Sequence, residues 1–185
     1  MRNPVSCEDG SVDFSLPRAK AVLSRTPATL RDLLVGLPRE WTASDEGPGT
    51  WSAYQTVCHM TYLEETDWMD RTMTILADGG PRHFEPVDRV AGFSRFEGWS
   101  LEDVLDHFGA VRTANLDALE RVVTEEDLAR TGLHPEFGLV TLAQLLATWV
   151  VHDLNHLDQI AKTMAKQFTE AVGPWRAFLP IIDAT

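Results

Sequence analysis

Cysteine is scarce in this chain. Cys7 and Cys58 are the only two, too few for a disulfide framework and in keeping with a reducing compartment. Positive charge is scarce as well: 16 Lys and Arg face 28 Asp and Glu, for a formal net charge of -12. With no basic patch in the sequence, the phosphates of nucleic acid and the surface of an anionic membrane would be repelled. No window approaches about 18 uninterrupted apolar residues. The opening segment MRNPVSCEDGSVDF has no apolar run of signal-peptide type. The expectation is a cytoplasmic protein with no nucleic-acid or membrane partner. Alternating strand patterns and internal repeats are also missing, which leaves little room for a large sheet.

What is present is apolar residue in helical rhythm. A hydrophobic fraction of 44% and six tryptophans suit a folded core, and 185 residues fit one domain. Residues 1–15 read as a flexible tail and 16–185 as the domain. Apolar positions from Leu16 to Leu37 recur at helical spacing, interrupted by Thr26-Pro27. There the helix either kinks or restarts, with Thr26 as cap and Pro27 at the first position. Thr50 or Ser52 caps a second helix, from about Trp51 to Leu76. Residues 79–99, rich in Gly, Pro and Phe, form a long connection. Ser100 and Asp103 form a capping box for a third helix that reaches about Val123. A short loop containing Gly132, His134-Pro135 and Gly138 leads to Thr141 and a fourth helix ending near Phe168. The apolar tail Trp175–Ile182 is expected to pack back on the body. Four long amphipathic helices make an all-α four-helix bundle. A connection of about 20 residues can carry the chain along the bundle, so the second and third helices can run parallel.

The fourth helix contains His152-Asp-Leu-Asn-His156. Four residues is about one turn, so both imidazoles stack on one face, in line with Leu145, Trp149 and Ile160. Either a metal ion or a pair of hydrogen-bonded histidines explains them. In the second helix, Ser52, Gln55, Thr56, His59, Leu63, Thr66 and Asp70 fall within an arc of about 120°. This polar stripe lines a cavity or faces solvent, and His59 is at its centre. Three neutral imidazoles, His59, His152 and His156, would hold a divalent ion and leave a position open for catalysis. Zinc or nickel comes first, though iron and copper also accept imidazole. His83, His107 and His134 read as structural or exposed.

The third helix sets Arg112 and Asn115 on a face otherwise made of Leu105, Phe108 and Leu119. A guanidinium there must be paired or reach a cavity. Arg112, Asn115 and Gln55 are therefore candidate substrate contacts, with an anionic substrate group on Arg112. The alternative is an Arg112 whose stem packs while its head snorkels outward.

Taken together, these residues resemble the DinB/YfiT-like family of metal-dependent enzymes. The matching pieces are Trp51-Ser through His59, then Glu64, Trp68 and Arg71, then His134-Pro-Glu-Phe-Gly138. Thr148-Trp-Val-Val-His-Asp-Leu-Asn-His156 and Gly173-Pro-Trp-Arg176 complete the set. The resemblance covers the chain from about residue 16 onward. It implies an up-down-down-up bundle, a divalent metal on His59, His152 and His156, and a homodimer. The family name refers to DNA-damage induction and implies no DNA binding. Glu64, Trp68 and Arg71 make a separate i, i+4, i+7 stripe, rotated well away from His59, and read as packing or interface residues.

Some members of that family are transferases or isomerases using a low-molecular-weight thiol; others are described only as presumed hydrolases. Thiol transfer needs no protein nucleophile, and Cys58 should point about 100° away from His59. Hydrolysis needs a general base, and Asp70 is about three turns from His59, too far to serve. The expectation is a metal-dependent thiol S-transferase acting on a small molecule. A hydrolase, or a non-catalytic metal- or ligand-binding protein, is the alternative.

Overall fold

The computed structural model describes residues 14–183; Cys7 and most of the expected tail lie outside them. The first long helical segment is two helices, α1 (Leu16–Leu23) and α2 (Thr26–Leu34), as the Thr26-Pro27 punctuation suggested. The restart comes one residue early, so that Arg25 is the cap residue and Thr26 opens the helix. Leu23, Leu30 and Leu34 are buried on the inner side. A short helix, α3 (Arg39–Ala43), follows.

The second segment is α4 (Ala53–Thr66) and α5 (Trp68–Leu76). Ser52 caps α4 through a reciprocal box with Gln55, at 3.2 and 3.0 Å. The expected continuous helix breaks at Asp67, whose backbone lies at φ -123, ψ -63. The break rotates everything after it relative to the face counted from His59.

The crossover of residues 77–100 is ordered by two contacts. Its short helix α6 (Ala91–Arg95) presses on α4, where a Cβ at Gly92 would come within 2.5 Å of the Cys58 carbonyl. Further back, Arg82 and Phe84 exchange backbone hydrogen bonds with Leu133, at 2.8 and 3.0 Å. Leu133 belongs to a hairpin that stands where a short loop is expected. β1 (Thr131–His134) and β2 (Gly138–Thr141) form an antiparallel hairpin with His134 opposite Gly138. Four-residue strands are too short to show alternation, and Gly132 is needed where Phe84 lies against the backbone.

α7 (Leu101–Val122) opens on the Ser100–Asp103 box, and α8 (Leu142–Lys166) on a Thr141–Gln144 box. With α1/α2 and α4/α5 they form a four-helix bundle. Its core runs from Leu30, Val57 and Phe108 at one end to Trp68, Leu119 and Trp149 at the other. Each such side chain contributes about 1.5–3 kcal/mol by leaving water. Contacts of α4 with α7 and the residues just before it advance together: Tyr54 bonds the carbonyl of Trp99, two residues before α7, and Glu64 meets Arg112 and Asn115. Among the described residues of the C-terminal tail only Ile182 is buried, while Trp175 and Phe178 are 69% and 77% exposed. No helix among the described residues is long and apolar enough to cross a membrane.

Candidate metal centre

α4 supplies His59 and α8 supplies His152 and His156. His152 Nε2 lies 3.3 Å from His59 Nε2 and 3.1 Å from His156 Nε2. One nitrogen of each ring lies within 4.8 Å of the others. The helical spacing read from the sequence thus brings its three imidazoles together.

Their outer nitrogens decide what the inner ones can do. His59 Nδ1 is 2.9 Å from the Arg89 carbonyl, which only accepts, so Nδ1 carries the proton. His156 Nδ1 likewise donates to Gln159 Oε1 at 2.7 Å. In a neutral imidazole this leaves Nε2 as a bare lone pair. Burial holds all three rings below the usual imidazole pKa, His59 at about 4 and His152 at about 2, and neighbouring imidazoles add to the effect in both. Near neutral pH the rings are uncharged. His152 Nε2 can donate to at most one of the two facing lone pairs, and its own buried Nδ1 has no partner. Three inward-facing imidazole nitrogens, two oriented by outer acceptors, fit a divalent cation, and these residues could hold one.

Tryptophans frame the cluster. Trp51 lies 4.9 Å from the His59 ring and stacks at 16° over His156. Trp68 meets His152 edge-on at 5.1 Å and stacks on Trp149. Beyond them opens a cavity of about 490 Å³. Asp67 and Arg71 from the start of α5, Arg89 from the crossover, and His134, Glu136 and Phe137 from the hairpin tip line it. At the tip, His134 Nδ1 accepts from the backbone N–H groups of Glu136 and Phe137, and its ring stacks on Phe137 at 4.4 Å. His134 is thus a turn-organising residue on the cavity wall, outside the three-imidazole cluster. Asp67 is buried, which pushes its carboxyl up to about 6 against the opposing pull of Arg71, 2.6 Å away.

Arg112, Asn115 and Gln55, the expected substrate contacts, do not line this cavity. Arg112 is buried, and its five N–H groups are all used. They go to Glu64 Oε1 and Oε2, Asp153 Oδ1 and Oδ2, and the Leu23 carbonyl, at 2.6–3.1 Å. It therefore neither snorkels outward nor has a donor left for a substrate. Asn115 gives both amide protons to Glu64. Gln55 turns its amide oxygen back to cap α4. Arg112 thus has every donor committed within the fold, while Asn115 commits its amide nitrogen and Gln55 its amide oxygen.

Trp68 and Arg71 also line the cavity, because the break at Asp67 carries them off the angle that one unbroken helix gives. Gln159, outside that lining, stands three residues after His156 on the same face and is legible from helical spacing.

No curated protein matches the chain. Among solved structures, the chain is similar to YfiT from Bacillus subtilis, described as a probable metal-dependent hydrolase with an unusual four-helix bundle topology. The TM-score is 0.71 at 18% identity, over 88% of this chain and 93% of YfiT, a likeness of fold. The profile of the DinB superfamily matches residues 23–160. That span begins at the last residue of α1, ends four residues after His156, and takes in the whole cluster; this chain belongs to the DinB superfamily.

Proposed function

We propose that the chain is a metal-dependent enzyme acting on a small molecule, with His59, His152 and His156 as ligands of a divalent ion, zinc or nickel first. The observation that carries this reading is the convergence of three neutral imidazole nitrogens beside a cavity of about 490 Å³. A divalent ion held by three imidazoles supplies Lewis-acid chemistry, lowering the pKa of a water or thiol that reaches its open position.

Hydrolysis is the reading favoured first. Hydrolysis needs a general base, and Asp67 on the cavity wall is the candidate for that role. A carboxyl with a pKa of about 6 can accept a proton near neutral pH and return it to a leaving group. Arg71 keeps the ionised form available. The description of YfiT as a probable metal-dependent hydrolase points the same way, and the parallel advance of contacts along α4 and α7 supports an up-down-down-up course.

A second reading, transfer of a low-molecular-weight thiol, rests on a separate observation. Cys58, the free cysteine among the described residues, is buried beside a different cavity, and burial pushes its thiol up to about 11. A sulfur nucleophile in the metal cavity would therefore come from a small molecule.

The test is one set of assays on metal-loaded protein. Esters and amides are offered in one arm, and bacillithiol, mycothiol or glutathione with an electrophile in the other. The expected result is hydrolysis that requires added metal, disappears in His156→Ala and loses most of its kcat in Asp67→Asn. Consumption of thiol without hydrolysis selects the second reading. Failure to bind zinc or nickel at all overturns both.

A further inference from the structure

Asp67 and Arg71 sit at the break between α4 and α5, where α5 turns one face toward the imidazoles. Trp68, the first residue of α5, touches His152, and Arg71 follows it by about one turn. The Arg71 guanidinium is held from two sides. Asp67 Oδ1 lies 2.6 Å from its Nε, an ion pair outside hydrogen-bond geometry, and the Phe84 ring lies 5.1 Å below it. Among the described residues no acceptor receives a hydrogen bond from its two terminal nitrogens, although the side chain is only 15% exposed. This contrasts with Arg112, whose donors are all used.

The charges of the wall sharpen the point. Arg71 and Arg89 are balanced by Asp67 and Glu136, so the cavity is neutral in a chain of net charge -12. A divalent ion on the imidazoles makes it net positive, and a partly enclosed positive pocket in an acidic protein concentrates anions. A held guanidinium with free terminal nitrogens is the geometry that receives a planar carboxylate in a bidentate pair.

We propose that Arg71 is the anion-recognising residue of this cavity, and that the substrate carries a carboxylate which Arg71 binds while its reactive group reaches the three imidazoles. This rests on the metal-dependent reading of the same site, but Arg71 belongs to the protein itself and can be tested without metal.

The probes are benzoate, its neutral isostere benzamide, and inorganic phosphate. Binding is followed by titration calorimetry and by the total tryptophan fluorescence, to which Trp51 and Trp68 on the cavity wall contribute, on metal-loaded and chelator-treated protein. Benzoate is expected to bind at least tenfold more tightly than benzamide in both forms, and more tightly than phosphate. Arg71→Gln removes the preference. Arg71→Lys keeps the charge without the fork, retains a weaker preference, and shows by its folding that the site survives. Equal binding of benzoate and benzamide by metal-free protein, or an undiminished preference in Arg71→Gln, overturns the inference. A benzoate preference confined to metal-loaded protein and indifferent to Arg71 also overturns it, while leaving the metal reading intact. An Arg71-dependent preference in a protein that binds no metal sustains the inference and sinks the metal reading alone. Phosphate bound more tightly than benzoate through Arg71 overturns the carboxylate assignment.

Discussion

α4 and α8 share two polar clusters, set one residue apart on α8. Asp153 joins Glu64 and Arg112 in a buried triad; its neighbour His152 joins His59 and His156. In the triad, one guanidinium between Phe108 and Trp149 meets two carboxylates and a backbone carbonyl, with every donor used. Burial pushes the Glu64 carboxyl up, and Arg112 pulls it back. Among the imidazoles the reverse holds: the outer nitrogens of His59 and His156 are satisfied, while the inner ones crowd together without enough protons between them. A closed network sets the relative position of helices. The imidazole cluster, with fewer protons than inward lone pairs, has no such closure.

The largest effect should come from the closed cluster. Arg112→Ala leaves two carboxylates buried without a counter-charge and should cost about 3–5 kcal/mol of stability, read from urea unfolding. Replacing the triad together, as Glu64→Leu, Arg112→Met and Asp153→Leu, should recover most of that loss, because no charge is then stranded. If Arg112→Ala unfolds like the parent protein, the triad does not hold the helices and the contrast fails.

The open cluster should respond in the opposite way. His156→Ala should weaken zinc binding by more than about 100-fold, beyond the 10–100-fold typical of an outer partner. Metal-free stability should fall by no more than about 1 kcal/mol, because the void opens on the cavity and water fills it. Calorimetric titration with zinc and urea unfolding of the chelated protein measure the two numbers. A large loss of metal-free stability would make the imidazoles a structural cluster after all.

A smaller effect tests the outer shell. Gln159→Ala removes the acceptor that holds the His156 ring and its tautomer. Zinc affinity should drop about 10- to 100-fold with the fold unchanged. Gln159→Glu should retain or improve affinity, since a carboxylate accepts the same proton more strongly. Equal affinities in all three proteins would remove Gln159 from the site.

The two clusters were not equally legible in the sequence. Histidines at i, i+4 in an apolar stripe and a third in a polar arc are periodic signals, and 3.6 residues per turn was enough to align them. The capping boxes at Ser100 and Thr141 have the same local character. Arg112 could be recognised as anomalous, but its partners Glu64 and Asp153 stand 48 and 41 residues away in sequence, and no local rule pairs them. The cavity wall was hidden for a geometric reason. Asp67 breaks the helix, so angular counting from His59 loses phase there and misplaces Trp68 and Arg71. The hairpin at Thr131–Thr141 is held by Phe84 and Leu133 rather than by an alternating pattern of its own.

Gln55 is the last test, because periodicity and structure disagree about it. It stands one turn before His59 on the same arc, which made it a candidate substrate contact. Its amide oxygen instead accepts the backbone N–H of Ser52 at 3.0 Å, while its own N–H bonds Ser52 Oγ. A first-turn backbone donor is otherwise unmet, so the cap outcompetes the cavity for this side chain. Gln55→Ala should therefore cost about 1 kcal/mol of stability, the usual scale of a lost cap, and leave zinc affinity and turnover where they were. Gln55→Glu, which preserves the reciprocal box, should restore the stability. A Gln55→Ala protein of parental stability but altered KM would return the residue to the site and show that α4 presents one continuous functional face from Ser52 to His59.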